Sequence, residues 1–207
     1  SERWWIFESV PGSGGDQNTL PEASTSTAVL EDDASDASAS AEARLATYFH
    51  ACQFVRPGDR VLDFRGGVGA GARLISRMTR AAHIRGLVAG SRAKAHAEDL
   101  VGIADGGRID FKAGGKRCLA RLPGESSDFC VAIARRPGDL LSFEYLKDAF
   151  RLLSPGGRLL IGMPAEVLKR PTSGDKYGRS SSAWQSLSAA LVGVGFQLER
   201  GWLQFHP

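Results

Sequence analysis

The chain has 207 residues, 43% of them hydrophobic, enough for one α/β domain with a sizeable core. No apolar run approaches about 18 residues, so nothing in the sequence reads as a membrane-spanning helix. The net charge of +3 conceals an asymmetry: residues 1–43 carry nine acids and one base, and the remainder carries 25 bases and 14 acids.

A basic body behind an acidic leading segment predicts contact with a polyanion, or masking of the basic surface by that segment; an ordinary solvated surface is the alternative. The three cysteines, Cys52, Cys118 and Cys130, lack ligand spacing and leave an odd thiol. That pattern predicts packing roles in a reducing, intracellular compartment. His50, His83, His96 and His206 show no metal-motif spacing, so no metal site is expected. The chain begins at Ser1, without an initiator Met or a signal-peptide pattern, which fits a leader removed upstream.

Three regions follow from composition. Residues 1–20 contain Arg3-Trp4-Trp5-Ile6-Phe7, too apolar for a free tail, and are expected to dock on the domain. Residues 21–43 are rich in Ser, Ala and Asp and lack aromatics, so they read as a flexible acidic insertion. Residues 44–207 form the domain. Within it, apolar spacing predicts a helix over 44–54, ended by Pro57-Gly58. Strands and helices then alternate. Strands are predicted over 60–64, 84–89, 108–112, 129–134 and 158–162, and helices over 70–79, 92–103 and 145–153. A last helix over 183–192 precedes a terminal strand over 196–205. Repeated β-α-β units with short apolar strands predict a parallel, doubly wound, Rossmann-like sheet.

The most informative stretch is Asp63-Phe64-Arg65-Gly66-Gly67-Val68-Gly69, between the first strand of this series and its helix. Strand, glycine turn and helix N-terminus together form the arrangement with which α/β folds hold a cofactor. Arg65 stands where the first glycine of such a loop would be.

With these residues in order, the chain resembles a class I S-adenosylmethionine-dependent methyltransferase over 44–207. The carriers are Val61-Leu62-Asp63 with Gly67 and Gly69, the spacing to Gly86 and Ser91, and Leu152-Leu153-Ser154-Pro155-Gly156-Gly157-Arg158-Leu159-Leu160-Ile161. A narrower likeness, to phosphoethanolamine N-methyltransferases, rests on Trp4, Glu8 and Ser13-Gly14-Gly15, with Gly67-Val68-Gly69-Ala70-Gly71. The resemblance implies seven strands, six parallel and one antiparallel, and the remaining sequence leaves room for only a shortened final hairpin. It also implies that Asp63, Gly67, Gly69 and Ser91 hold S-adenosylmethionine, if the chain binds it.

Departures from the family's pattern accumulate around that site. The family has glycine at Arg65, against the methionine end of the cofactor. It has a ribose-binding acid at Val88, and no Asp or Glu occurs here between Asp63 and Glu98. Losing a charged bidentate acceptor costs roughly 2–4 kcal/mol. The family's adenine-contacting Asp is Gly115, and the loop Ala132-Ile133-Ala134-Arg135-Arg136-Pro137 lacks any proton-transferring group. No catalytic residue is therefore assigned and no cofactor is expected.

The same region gained bases. Arg65, Arg73, Arg77, Arg80, Arg92, Arg135 and Arg136 are candidate nucleic-acid or anion contacts, with Arg85, Lys94, Lys116 and Arg117 nearby. The polar run 169–179 is either a substrate cover or a contact arm. Trp4, Trp5, Trp184 and Trp202 read as core or docking anchors. The reading that follows is a methyltransferase-like pseudoenzyme, a structural or assembly subunit with protein and RNA partners in a ribonucleoprotein such as a mitochondrial ribosome. Two other readings stand beside it: an active N-methyltransferase on a small amine such as phosphoethanolamine, and a silent partner of an active methyltransferase.

Overall fold

The computed structural model describes residues 2–9, 37–101, 107–114, 118–133, 143–164 and 181–204. In chain order the elements are β1 (Glu2–Ser9), α1 (Ala37–Cys52), β2 (Arg60–Asp63), α2 (Ala70–Met78), β3 (His83–Val88) and α3 (Ser91–Val101). There follow β4 (Ile109–Ala113), β5 (Ser127–Ile133), α4 (Phe143–Leu152), β6 (Leu153–Pro164), α5 (Ser181–Val194) and β7 (Phe196–Gln204). The strands form one seven-stranded sheet in the order β4-β3-β2-β5-β6-β1-β7.

Strands β4, β3, β2, β5 and β6 pair in parallel. Strand β1 is antiparallel to both β6 and β7, so β7 runs with the other five. Six parallel strands and one antiparallel strand match the expected sheet, but the antiparallel strand comes from the other end of the chain. Instead of a shortened final hairpin, β1 lies between β6 and β7, with Ile6 opposite both Leu160 and Arg200. The segment expected to dock on the domain supplies an interior strand of its sheet. A second correction concerns the acidic insertion: α1 begins at Ala37, within the stretch 21–43 expected to be flexible.

Alternation along the strands divides the core. Val61, Ile84, Phe129, Val131 and Leu160 face one side, where Tyr48, Ala72, Ile75 and Ala97 of α1, α2 and α3 cover them. Leu62, Leu87, Cys130, Ala132, Leu159 and Ile161 face the other, under Leu146, Leu152, Leu187 and Leu191 of α4 and α5. Strands apolar on both faces need cover on both, which is why this pattern dictates a doubly wound sheet. The turn at Ser154-Pro155-Gly156-Gly157 falls inside β6, where its pairing with β5 shifts register between Ser127 and Phe129.

Polar contacts fix the amino edge of the sheet. Arg158 is buried, donates to Asp59 Oδ2 at 3.2 Å and lies over the Phe129 ring. Arg60 grips Asp128 with Nε and Nη2 at 2.9 Å each, and Ser154 Oγ donates to Asp128 Oδ1 at 2.7 Å. Arg151 donates to the carbonyl oxygens of Leu119 and Leu122, at 2.8 Å each, and so pins α4 to the loop before β5.

The thiols are free. Burial pushes Cys52 up to about 11 and Cys130 further above its ordinary value. Neither is a thiolate at neutral pH, as packing cysteines should be.

The fold makes two demands that can be measured. Deleting residues 1–9 opens the edges of β6 and β7, and should lower Tm by about 10 °C or more or abolish cooperative melting; an unchanged Tm by circular dichroism would overturn the placement of β1. The Arg60 hydrogen bonds hold the Asp128 carboxyl well below its ordinary range. A depressed carboxyl stabilises the native state above its unfolded pKa of about 4, and that contribution declines as pH falls below it. Asp128→Asn should therefore lower the urea midpoint at pH 7 and have a smaller effect at pH 3.

Candidate functional site

The glycine loop sits at the carboxyl edge of β2, between the ends of β3 and β5. Phe64 N–H donates to Val131 O and Gly66 N–H to Leu87 O, both at 2.9 Å, so the loop is hydrogen-bonded to both neighbouring strands. Gly69 caps α2 with φ 87°, a left-handed conformation that suits glycine, and no side chain caps that helix end. Asp63 is fully buried directly below. Its Oδ2 accepts the Tyr48 hydroxyl at 2.8 Å and its Oδ1 accepts the Arg65 backbone N–H at 3.0 Å.

The chain's own rings fill the space beside the loop. A Cβ on Gly71 would lie within the Tyr48 ring, and one on Gly86 would meet the Phe111 ring at 2.6 Å. Gly71 and Gly86 thus admit aromatic side chains from α1 and β4. Val88, at the end of β3, is 2% exposed and packs in the apolar cluster with Ala97 and Phe111.

Arg65 is half-buried, and its guanidinium lies near the Tyr145 hydroxyl of α4. Burial pushes the Tyr145 phenol well above its ordinary value, and the adjacent Arg65 charge opposes that rise. The Tyr145 ring packs on Phe64, with centroids 5.0 Å apart. Arg65 therefore faces the first turn of α4.

Of the residues nominated for a cofactor, Asp63, Gly67 and Gly69 are brought together in the loop, and Gly67 adopts φ 52°. Ser91 is exposed at the start of α3, at the same edge. The nominated arginines do not form one surface. Arg65 and Arg92 lie at the carboxyl edge, and Arg73 is half-buried midway along α2. Arg77 and Arg80 are exposed where α2 ends, at the opposite edge of the sheet. Arg135 and Arg136 lie outside the described residues, as do Gly115, Lys116 and Arg117, the run 169–179 and the side chains of the four tryptophans. Sequence reasoning does not single out Tyr48 or Tyr145 as site residues; the apolar spacing of Leu45, Tyr48, Phe49 and Cys52 places Tyr48 on a helix without naming its acceptor.

Among the described residues no group of His, Cys, Asp or Glu side chains is placed to hold a metal, and no helix is long and apolar enough to cross a membrane.

The architecture defines the class: this is the class I S-adenosylmethionine-dependent methyltransferase fold. Among solved structures the chain is similar to the cyclase SpnF, with a TM-score of 0.58 and 21% identity, over 74% of this chain and 58% of that one. It therefore spans less than two thirds of the cyclase's length. It is also similar to an S-adenosylmethionine-dependent methyltransferase from Mesorhizobium loti, with a TM-score of 0.53 and 19% identity over 79% of this chain and 84% of that one. A methyltransferase from Aquifex aeolicus matches with a TM-score of 0.53 and 15% identity over 77% and 80%. No protein-family model matches the chain, and no curated protein does.

The geometry of the loop makes a specific demand on Tyr48. Tyr48→Phe removes one donor from a buried carboxylate and should cost about 1–3 kcal/mol in urea denaturation. Gly71→Ala, which drives a methyl into the same ring, should cost at least about 1–3 kcal/mol. Gly90→Ala meets nothing within 4 Å and should stay within about 0.5 kcal/mol of the parent. Equal effects at Gly71 and Gly90 would refute the packing of Tyr48.

Proposed function

We propose that this chain is a methyltransferase-fold protein that has given up methyl transfer and serves as a structural or assembly subunit of a larger complex, a ribonucleoprotein such as a mitochondrial ribosome. One observation carries the loss of activity. Val88 ends the strand beside the glycine loop, at the position where the fold's resemblance calls for a ribose-binding acid, and it is buried in the apolar core. A side chain engaged there offers no acceptor, and the sequence holds no Asp or Glu between Asp63 and Glu98 to replace it.

Arg65 and Tyr48 support the same reading. Arg65 replaces a glycine with a guanidinium directed to α4, and Tyr48 and Phe111 fill the clearances that Gly71 and Gly86 leave. The residues present do not fit S-adenosylmethionine, and no reaction step runs through it here. A fold persists readily after the site grafted on it is lost, because the core and the site are held by different side chains. The subunit role rests on charge: the basic excess of residues 44–207 suits a polyanionic neighbour.

Calorimetric titration with S-adenosylmethionine and S-adenosylhomocysteine tests the loss of cofactor binding. No heat is expected at millimolar ligand, whereas a Kd below about 100 μM, near −5.5 kcal/mol, would restore the enzyme reading. Arg65→Gly, Val88→Asp and Gly115→Asp combined should improve binding; unchanged or weaker binding by the triple variant would refute this account of how the site was lost.

A further inference from the structure

Among the described residues, a group of exposed arginines lies at the amino edge of the sheet, opposite the glycine loop. Three loops meet there. Gly58 N–H donates to Arg80 O and Ala82 N–H to Asp59 O, both at 2.9 Å, which joins the loop before β2 to the loop before β3. Ile84 N–H donates to Arg108 O at 2.7 Å, which joins the loop before β4 to the amino-terminal end of β3. Arg56, Arg77, Arg80 and Arg108 are thereby gathered along one edge, although they are up to 52 positions apart in sequence.

Three described carboxylates at this edge, Asp59, Asp110 and Asp128, are already engaged. Asp59 pairs with the buried Arg158, and Asp128 with Arg60. Asp110 is shared by His83 and Arg85 at 3.0 Å and by Lys112 at 3.6 Å. Arg108 donates to Ser76 O and Oγ at 3.1 Å, both neutral partners, and no ion pair among the described residues involves it. Arg56, Arg77 and Arg80 are exposed, and no ion pair among the described residues involves them. The flanking acids, Asp99 at the end of α3 and Glu125 before β5, are exposed and fewer than these bases.

We propose that this amino edge, centred on Arg56, Arg77 and Arg80, binds the phosphodiester backbone of a structured RNA. The identity of the polyanion rests on the ribonucleoprotein reading above; the location of the surface does not. Arginine favours phosphate because its planar fork donates two hydrogen bonds to it, whereas lysine offers a point charge. The three loops gathered here carry no exposed aromatic side chain among the described residues, so the edge suits a backbone contact better than stacking on unpaired bases. It also lies on the far side of the sheet from Arg65 and Arg92, so binding there leaves the glycine loop uninvolved.

The test uses the full chain, a fluorescent RNA hairpin of about 20 base pairs and anisotropy titrations from about 50 to 200 mM salt. The Arg56→Gln, Arg77→Gln and Arg80→Gln triple variant should bind at least about tenfold more weakly, with the salt slope reduced by about two to three, roughly one for each phosphate no longer neutralised. The Arg65→Gln and Arg92→Gln variant, altered at the opposite edge, should bind as the parent does. Unchanged melting curves would show that both variants fold. Weakened binding only in the second variant would overturn the location while leaving an RNA-bound subunit intact. Binding to vesicles with about 30% anionic lipid but not to the hairpin would overturn RNA as the partner. A parent chain that binds neither polyanion would overturn the surface altogether, and the cofactor titration would still decide the loss of activity by itself.

Discussion

The buried carboxylate of Asp63 is the constraint on which the rest of the carboxyl edge depends. A charge removed from water is tolerated only when hydrogen bonds replace the lost solvation. Here the Tyr48 hydroxyl and the Arg65 backbone amide share that task. One of these donors belongs to α1 and the other to the glycine loop, so satisfying the acid fixes both against β2. Tyr48 can reach it only because Gly71 has no side chain. The helix before the first Rossmann strand, the strand, the loop and α2 thus share one local solution.

The same constraint gives residues around the glycine loop work that is independent of any ligand. Asp63, Gly71 and Gly86 belong to the residues that carry the resemblance, and each also has an internal duty. Asp63 orders α1 and the loop, Gly71 admits Tyr48, and Gly86 admits Phe111. These contacts do not require a bound ligand. Val88 and Arg65 depart from the family's pattern at two positions that the resemblance assigns to ligand contact. Val88 packs in the core. Asp63, Gly71 and Gly86 would therefore be required by the fold with or without a ligand.

Much of this was legible in the sequence. The alternating strands and helices, their order and their approximate bounds follow from short β-branched runs separated by helical spacing. The β2–loop–α2 unit follows from Val61-Leu62-Asp63 and its glycines. Two things were not legible. The arginines of 65–92 look contiguous in sequence, but α2 carries Arg77 and Arg80 the length of the sheet away from Arg65, so one run of bases serves two opposite edges. Strand β1 was invisible as a strand position because Trp4-Trp5-Ile6-Phe7 shows apolar character without naming a partner. Its partners, β6 and β7, lie at the other end of the chain.

That placement of β1 has a kinetic side. Its backbone partners, from Arg158 to Pro164 on one side and from Phe196 to Gln204 on the other, lie 150 or more positions downstream of it. Pairing across nearly the whole chain carries the largest loop-closure cost a domain of this size can impose, and such topologies fold slowly. Until β6 has been made, Arg3 to Phe7 have no sheet edge to enter, and until β7 follows, the outer edge of β1 stays unpaired. Completion of the sheet therefore waits for β7, and the nascent protein is exposed to chaperones and to mispairing for as long as that wait lasts.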